Sequence, residues 1–247
     1  MFLHGYDDNT LELCFGAQDK NRNFITKLMK NANTVSDNGI EGLSKIANSG
    51  KITPEIIQNY THVVYRNRLE ILYGYRYMQE RSTKEEYLKT IEFYKDIIQN
   101  ANRYYDMVLV DLDKKLGNDI RKQILKISDV TVYNIEQKMN MINEFLKIRE
   151  ELDSQIKNKL VLNVGRFDEN SKYTIKNISR YTGIRRDLTV IPYNTLFFEA
   201  ASEEEVADLF LKIINVSDAD KNSKFIKQVK ETVEKIIYKM QEVQMKM

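Results

Sequence analysis

The sequence predicts an α/β protein: a three-layer αβα sandwich around a mostly parallel sheet, followed by a C-terminal amphipathic helix. Three observations carry this. Several strands are short, nearly continuous apolar runs ("DMVLV", "DVTVYNI", "KLVLNV"), the composition of strands covered on both faces. Between them lie segments with apolar residues at three- and four-residue steps, the period of a helix with one buried face. Strand and helix alternate along the chain, as they do where a parallel sheet is sandwiched by its own crossovers. At 247 residues, 42% hydrophobic and 30% charged, the chain is long enough to bury a substantial core and too apolar to remain disordered.

The elements follow in order. The apolar triplet that opens "MFLHGYDDNT" reads as a strand running into turn chemistry at Asp7, Asp8 and Asn9. Short helices are expected over Ile40 to Ala47 and Pro54 to Tyr60, the second with Thr53 as cap and Pro54 in its first turn. "LEILYGY" reads as a strand closed by a glycine turn. Over 82–103, Tyr87, Leu88, Ile91, Tyr94, Ile97, Ile98 and Ala101 form one helical stripe, and Ser82 or Thr83 with Glu86 supplies a capping box.

A strand over 107–110 comes next. A helix over 119–127 leads to the strand "DVTVYNI", and a helix over 138–152 leads to "KLVLNV". "YTIKNISRYTG" is a helix ended by Gly183, and "LTVIPYN" is a strand closed by Pro192. From Asn215 the chain becomes one long charged helix with Phe225, Val229, Val233, Ile236, Ile237, Met240 and Val243 on a stripe. Glu231, Glu234 and Glu242 dilute its positive face, so packing on its own domain or on a partner is expected ahead of membrane binding.

Composition excludes several classes. Net charge is +2, from 38 basic and 36 acidic residues, so no global field draws the chain to nucleic acid or an anionic membrane. One cysteine, Cys14, cannot form an internal disulfide, which suits a cytoplasmic protein. His4 and His62 lack metal-ligand spacing, and no G-x-S-x-G elbow is present. In "YRNRLEILYGYRYMQER" the arginines 66, 68, 76 and 81 stand among tyrosines, but packing explains those rings better than stacking on nucleic acid.

What remains is the run "YYDMVLVDLDKKLG". An apolar strand that delivers Asp111 and Asp113 to its carboxyl end places acids where ligands bind in parallel sheets. A magnesium ion with its hydration shell takes such a carboxylate. Many strands also end in Asp simply for capping.

The order and spacing of four segments say more. "YYDMVLVDLD", "ISDVTVYNI", "KLVLNVGRFD" and "LTVIPYN" followed by "FFEAASEEEVADLFLKI" resemble the C-terminal half of the MinD/ParA/CpaE-like P-loop ATPases, the class with a deviant Walker A motif. "NTLELCFG" and "GIEGLSKIANSGKITPEII" extend the likeness, more diffusely, to about Leu3 through Ile214. The resemblance implies a P-loop-type domain over 1–214, with 215–247 as an appended helix. It implies ATP and Mg2+ as ligands, with Asp111 as the Walker B aspartate and catalytic group and Asp113 beside it at the metal. It implies Asn163 as the reader of the adenine edge, and Pro192 and Tyr193 in the loop along the base. It further implies a homodimer and a protein partner in pilus, secretion or partition machinery; membrane or nonspecific DNA contact has little support from the charge balance.

The departures are equally plain. The sequence contains no G-x-x-x-x-G-K-S/T, and "NSGKI" lacks the second glycine and the hydroxyl. A central strand is costly to lose, so the expectation is an N-terminally truncated family member in which Met1 is an internal methionine. A non-catalytic scaffold that keeps the fold as a binding surface is the alternative. Gly5 stands where relatives carry an aspartate, and Lys114 and Lys115 stand where a compact switch follows the Walker B strand, so slow or absent hydrolysis is expected.

Overall fold

The computed structural model describes residues 1–4, 14–15, 39–47, 52–74, 84–112 and 118–245. Two compact units emerge, one of residues 1–124 with 200–207 and one of residues 125–199 with 208–247.

In the first unit, strands β1 (Phe2–His4), β2 (His62–Tyr65), β3 (Leu69–Leu72) and β4 (Leu109–Asp111) form a sheet in the order β2-β3-β1-β4. β1 runs parallel to β3 and to β4, in register Leu3 with Leu72 and His4 with Asp111, so three carboxyl ends share one edge. β2 was not expected from the sequence. It pairs antiparallel with β3 through a turn in which Asn67 adopts φ 59°, and Arg66 and Arg68 project into solvent there. Asn tolerates that left-handed conformation better than most residues.

Helices α1 (Ile40–Ala47), α2 (Pro54–Tyr60) and α3 (Lys84–Ala101) belong to this unit. Thr53 caps α2 by accepting from the Ile56 N–H at 3.4 Å, with Pro54 in the first turn as expected. Of the stripe on α3, Ile91, Tyr94, Ile97, Ile98 and Ala101 are buried, while the capping box at residues 82 and 83 lies outside the described residues. α1 starts against the end of β3: the Ile40 N–H donates to the Tyr73 carbonyl at 2.8 Å. Gly39 makes this approach, with φ 80°, and a Cβ there would stand 2.6 Å from the Tyr73 oxygen, so only glycine fits.

Helix α4 (Asn118–Ile127), with Ile120 and Ile124 buried, precedes the second sheet. That sheet is fully parallel, in the order β5 (Thr131–Glu136), β6 (Leu160–Phe167), β7 (Leu188–Pro192). β6 is central and its first five residues are buried. One face carries Ile135, Leu162, Val164, Leu188 and Val190 against Ile142 and Phe145 of α5 (Met139–Glu151) and Ile178 of α7 (Ile175–Thr182). Between them runs the short α6 (Ser154–Asn158). Thr174 caps α7 and Gly183, at φ 69°, terminates it. The Arg149 guanidinium then donates to the exposed end of that helix, the Thr182 carbonyl, at 2.6 Å.

After β7 come α8 (Thr195–Ser202), α9 (Val206–Ile213) and the long α10 (Ser223–Gln244). α10 packs along β7 and touches β6, and none of its residues joins the cluster on the α5 side. Helices therefore cover both faces of this sheet, the three-layer arrangement the sequence predicts. Asn222 bonds Asn194 just past the carboxyl end of β7, and Lys239 bonds Asp187 just before its amino end, so α10 runs antiparallel to the strand.

The buried stripe of α10 is not quite the one expected. Val233 and Ile237 are exposed, whereas Thr232 and Lys239 are buried beside Phe225 and Ile226. The reason is Lys239, whose ammonium is fixed by Asp187 at 2.9 Å and Glu242 at 3.3 Å. No helix among the described residues is long and apolar enough to cross a membrane.

Candidate functional site

Ligands in open parallel sheets meet the carboxyl ends of the strands, where loops and helix starts converge. Each unit offers one such edge. In the first, Asp111 is the last residue of β4, half-buried, and pairs in register with His4 of β1. Asp113, Lys114 and Lys115 lie outside the described residues, as do Gly5, Asp7 and Asp8. Toward the amino ends of the same strands, away from Asp111, Glu70 of β3 is buried and accepts from the Thr61 hydroxyl at 3.0 Å and from the Tyr105 hydroxyl. Burial, together with that bond to Glu70, pushes the Tyr105 phenol well above its ordinary value.

The second unit holds the other residues singled out from the sequence, Asn163 within its sheet and Pro192 and Tyr193 at the carboxyl edge. Asn163 is buried in the middle of β6, and its side chain belongs to a polar row across all three strands. Its Nδ2 donates to Asn134 Oδ1 at 2.9 Å, and its Oδ1 accepts from the Thr189 hydroxyl at 2.9 Å. Asn134 and Thr189 stand in register with it on β5 and β7. An amide has two donors and two acceptor lone pairs, so one of each is left after these bonds. Sequence reasoning missed this row because cross-strand register is not written in any one strand.

Pro192 ends β7 opposite Phe167, and Tyr193 follows it with half its surface in solvent. Phe198, in the first turn of α8, lies beside Tyr193 with ring centroids 6.4 Å apart and planes tilted by 42°. At the end of β6, Arg166 adopts φ 51°, an uncommon conformation for a non-glycine residue, where the pairing with β7 slips. Its guanidinium lies 3.7 Å from Glu136 Oε1, and Glu136 also pairs with Lys138. Lys138 first, and Arg166 to a smaller degree, hold the Glu136 carboxyl below its ordinary value.

Gln137 bridges the segment after β6 at both of its ends. Gln137 Nε2 donates to the carbonyls of Asp168 at 3.0 Å and Tyr173 at 2.8 Å, and its Oε1 accepts from the Asp168 N–H at 2.8 Å. Thus Asp111 stands at the edge of the first unit, while Asn163, Pro192 and Tyr193 belong to the second.

This topology has known counterparts. A ParA family ATPase from Chlorobium tepidum TLS superposes with a TM-score of 0.61 over 94% of this chain and 85% of its own, at 14% identity. A plasmid partition protein from Borrelia burgdorferi B31, bound to AMPPNP, gives 0.59 over 96% and 86%, at 15% identity. The cell division protein MinD from Aquifex aeolicus gives 0.57 over 94% and 84%, also at 15% identity. The chain has the ParA/MinD fold. No family model matches the sequence, and no curated protein does.

Of these relatives the Borrelia burgdorferi protein is bound to AMPPNP, and the Chlorobium tepidum protein is an ATPase. Among the described residues no group of three or more His, Cys, Asp or Glu side chains converges to hold a metal. Among the described residues, the strand ends of the first unit thus supply one carboxylate, Asp111. That fits a magnesium ion which keeps most of its waters and arrives with phosphates, and does not fit an all-protein cage.

Proposed function

We propose that this chain is a nucleotide-responsive member of the MinD/ParA/CpaE-like group, which binds ATP with Mg2+, dimerises in response and so positions a pilus, secretion or partition machine. The observation that carries the reading is Asp111 at the carboxyl end of β4, parallel to β1, in a fold shared over nearly the whole chain with a ParA family ATPase. In this reading Asp111 is the Walker B aspartate. It holds a magnesium-bound water, with Asp113 beside it. Asn163 uses its remaining donor and acceptor on the adenine edge, with Pro192 and Tyr193 along the base. Residues 1–214 form the ATPase-like domain and 215–247 its appended helix.

No hydrolytic step is assigned. The sequence contains no G-x-x-x-x-G-K-S/T to wrap the γ-phosphate with backbone amides. That same observation favours a second reading, a non-catalytic scaffold that works by protein–protein contact in the cytoplasm.

Equilibrium dialysis with ATP and Mg2+ separates the two, using wild type and Asp111→Ala. The first reading expects magnesium-dependent ATP binding that falls about tenfold or more in the variant, with a mass shift to dimer by light scattering. Equal binding by the two proteins, or none by either, leaves the scaffold reading standing. Should wild type turn over ATP at a rate the variant matches, the Walker B role of Asp111 is wrong.

A further inference from the structure

The near-neutral net charge of the chain conceals two runs of opposite sign. From Asn170 to Arg186 the sequence carries Lys172, Lys176, Arg180, Arg185 and Arg186 and no acid. From Leu188 to Leu211 it carries no base, and Glu203, Glu204 and Glu205 stand in a row. Like charges held side by side repel and weaken the fold that holds them.

The structure keeps the first run in solvent. Ile178 and Thr182 turn one side of α7 into the core, and Lys176 and Arg180, one turn apart, stand exposed on the other. Gly183 then ends the helix, buried Ile184 pins the chain, and Arg185 and Arg186 emerge exposed beyond it. The acids that flank the run are engaged elsewhere: Glu169 pairs with Lys224, and Asp187 holds Lys239. Among the described residues no carboxylate pairs with any of the five bases.

The second run is equally open. The turn between α8 and α9 is fixed by the Glu205 N–H, which donates to the Ala200 carbonyl at 2.8 Å, and by buried Val206. Glu203 and Glu205 are exposed there, and among the described residues no base pairs with any of the three glutamates.

We propose that the basic face of α7 docks onto the acidic α8–α9 turn of a second copy of this chain, so that copies associate head to tail. Complementarity names the occupant: the charge that the basic face lacks is carried, unpaired, by the chain itself. Bringing the two runs together replaces repulsion within each by attraction between them. The two surfaces differ, so a pair of copies still has one of each free, and the contact repeats instead of closing as a twofold dimer. It needs no nucleotide and is separate from the dimer in the reading above. Nucleic acid would satisfy the basic face alone, but it would leave the glutamates unpaired, and a net charge of +2 lends it no wider field.

Sedimentation velocity on the full chain, without nucleotide, tests this. At about 50 mM salt the mass is expected to rise above that of the monomer with concentration, and at about 500 mM salt to return to it, because salt screens exposed charges. Lys176→Gln/Arg180→Gln and Glu203→Gln/Glu205→Gln, each alone, are expected to associate at least about tenfold more weakly. Mixed, they should form a one-to-one pair that grows no further, since each supplies the surface the other has lost; that result also shows that both variants fold. A wild type that stays monomeric in low salt overturns the proposal, as does association that either variant leaves unchanged. If the monomer shifts duplex DNA in a gel and the Lys176→Gln/Arg180→Gln variant does not, the basic face serves nucleic acid and self-association through it is refuted. Association that appears only with ATP–Mg2+ and survives in both variants also refutes it, and leaves the nucleotide-dependent dimer standing.

Discussion

The two units each bury a charged-type side chain, and they satisfy it in opposite ways. Glu70, in the first, is an acid whose hydrogen bonds come from two neutral hydroxyls, those of Thr61 and Tyr105, with the Met1 ammonium near enough to feel its charge. Lys239, in the second, is a base held by two acids, Asp187 and Glu242, with its side chain 9% exposed. Hydroxyl partners lower the cost of a buried carboxylate without adding charge, whereas carboxylate partners cancel charge and bring their own desolvation. One locus should therefore respond gently to the loss of a partner, and the other sharply.

The largest expected effect is at Asp187→Ala. It leaves a buried ammonium with one partner of two, and urea unfolding should show a loss of about 3 kcal/mol. Hydrogen exchange resolved by strand should place that loss in β7 and α10. Tyr105→Phe is expected to cost about 1 to 2 kcal/mol, because Glu70 keeps the Thr61 hydroxyl; a loss as large as that of Asp187→Ala would mean the hydroxyls bind a charge as tightly as the carboxylates do.

Alkaline titration tests both loci with one sign. The Tyr105 phenol and the Lys239 ammonium are each raised above ordinary values of 10.0 and 10.5. For Lys239 burial alone would lower the value, and Asp187 and Glu242 more than offset it. A raised group stabilises the fold fully below its ordinary value, and that contribution is lost as pH rises through the folded one. The urea midpoint should hold from pH 7 to 9 and fall above about pH 10; the fall should be shallower in Tyr105→Phe. The smallest effect is expected at Lys239→Met, whose freed acids are both partly exposed, at 35% and 26%. A similar volume without the ion pair should leave stability within about 1 kcal/mol of wild type.

Much of the fold was legible because it is locally coded. The apolar steps of α3 reappear as its buried face, Thr53 and Pro54 open α2, Gly183 closes α7, and apolar runs become the parallel strands. β2 escaped because four residues and an asparagine turn give too short a pattern to recognise. The buried side of α10 escaped for another reason: Lys239 is drawn in by Asp187, 52 residues away in the chain. At the candidate site, Asp111 was readable as a strand-end acid, since an apolar run stops at it. The polar row through Asn163 and the ring pair at Tyr193 were not, because each depends on a neighbour brought in by register or by the turn of a helix.

Gln137 carries a consequence of its own. One amide joins the ends of β5 and β6 to the approach of α7, so these strand ends cannot be displaced one at a time. A ligand that settles on this edge meets a preorganised surface, and the entropy of ordering a loop is not subtracted from its affinity.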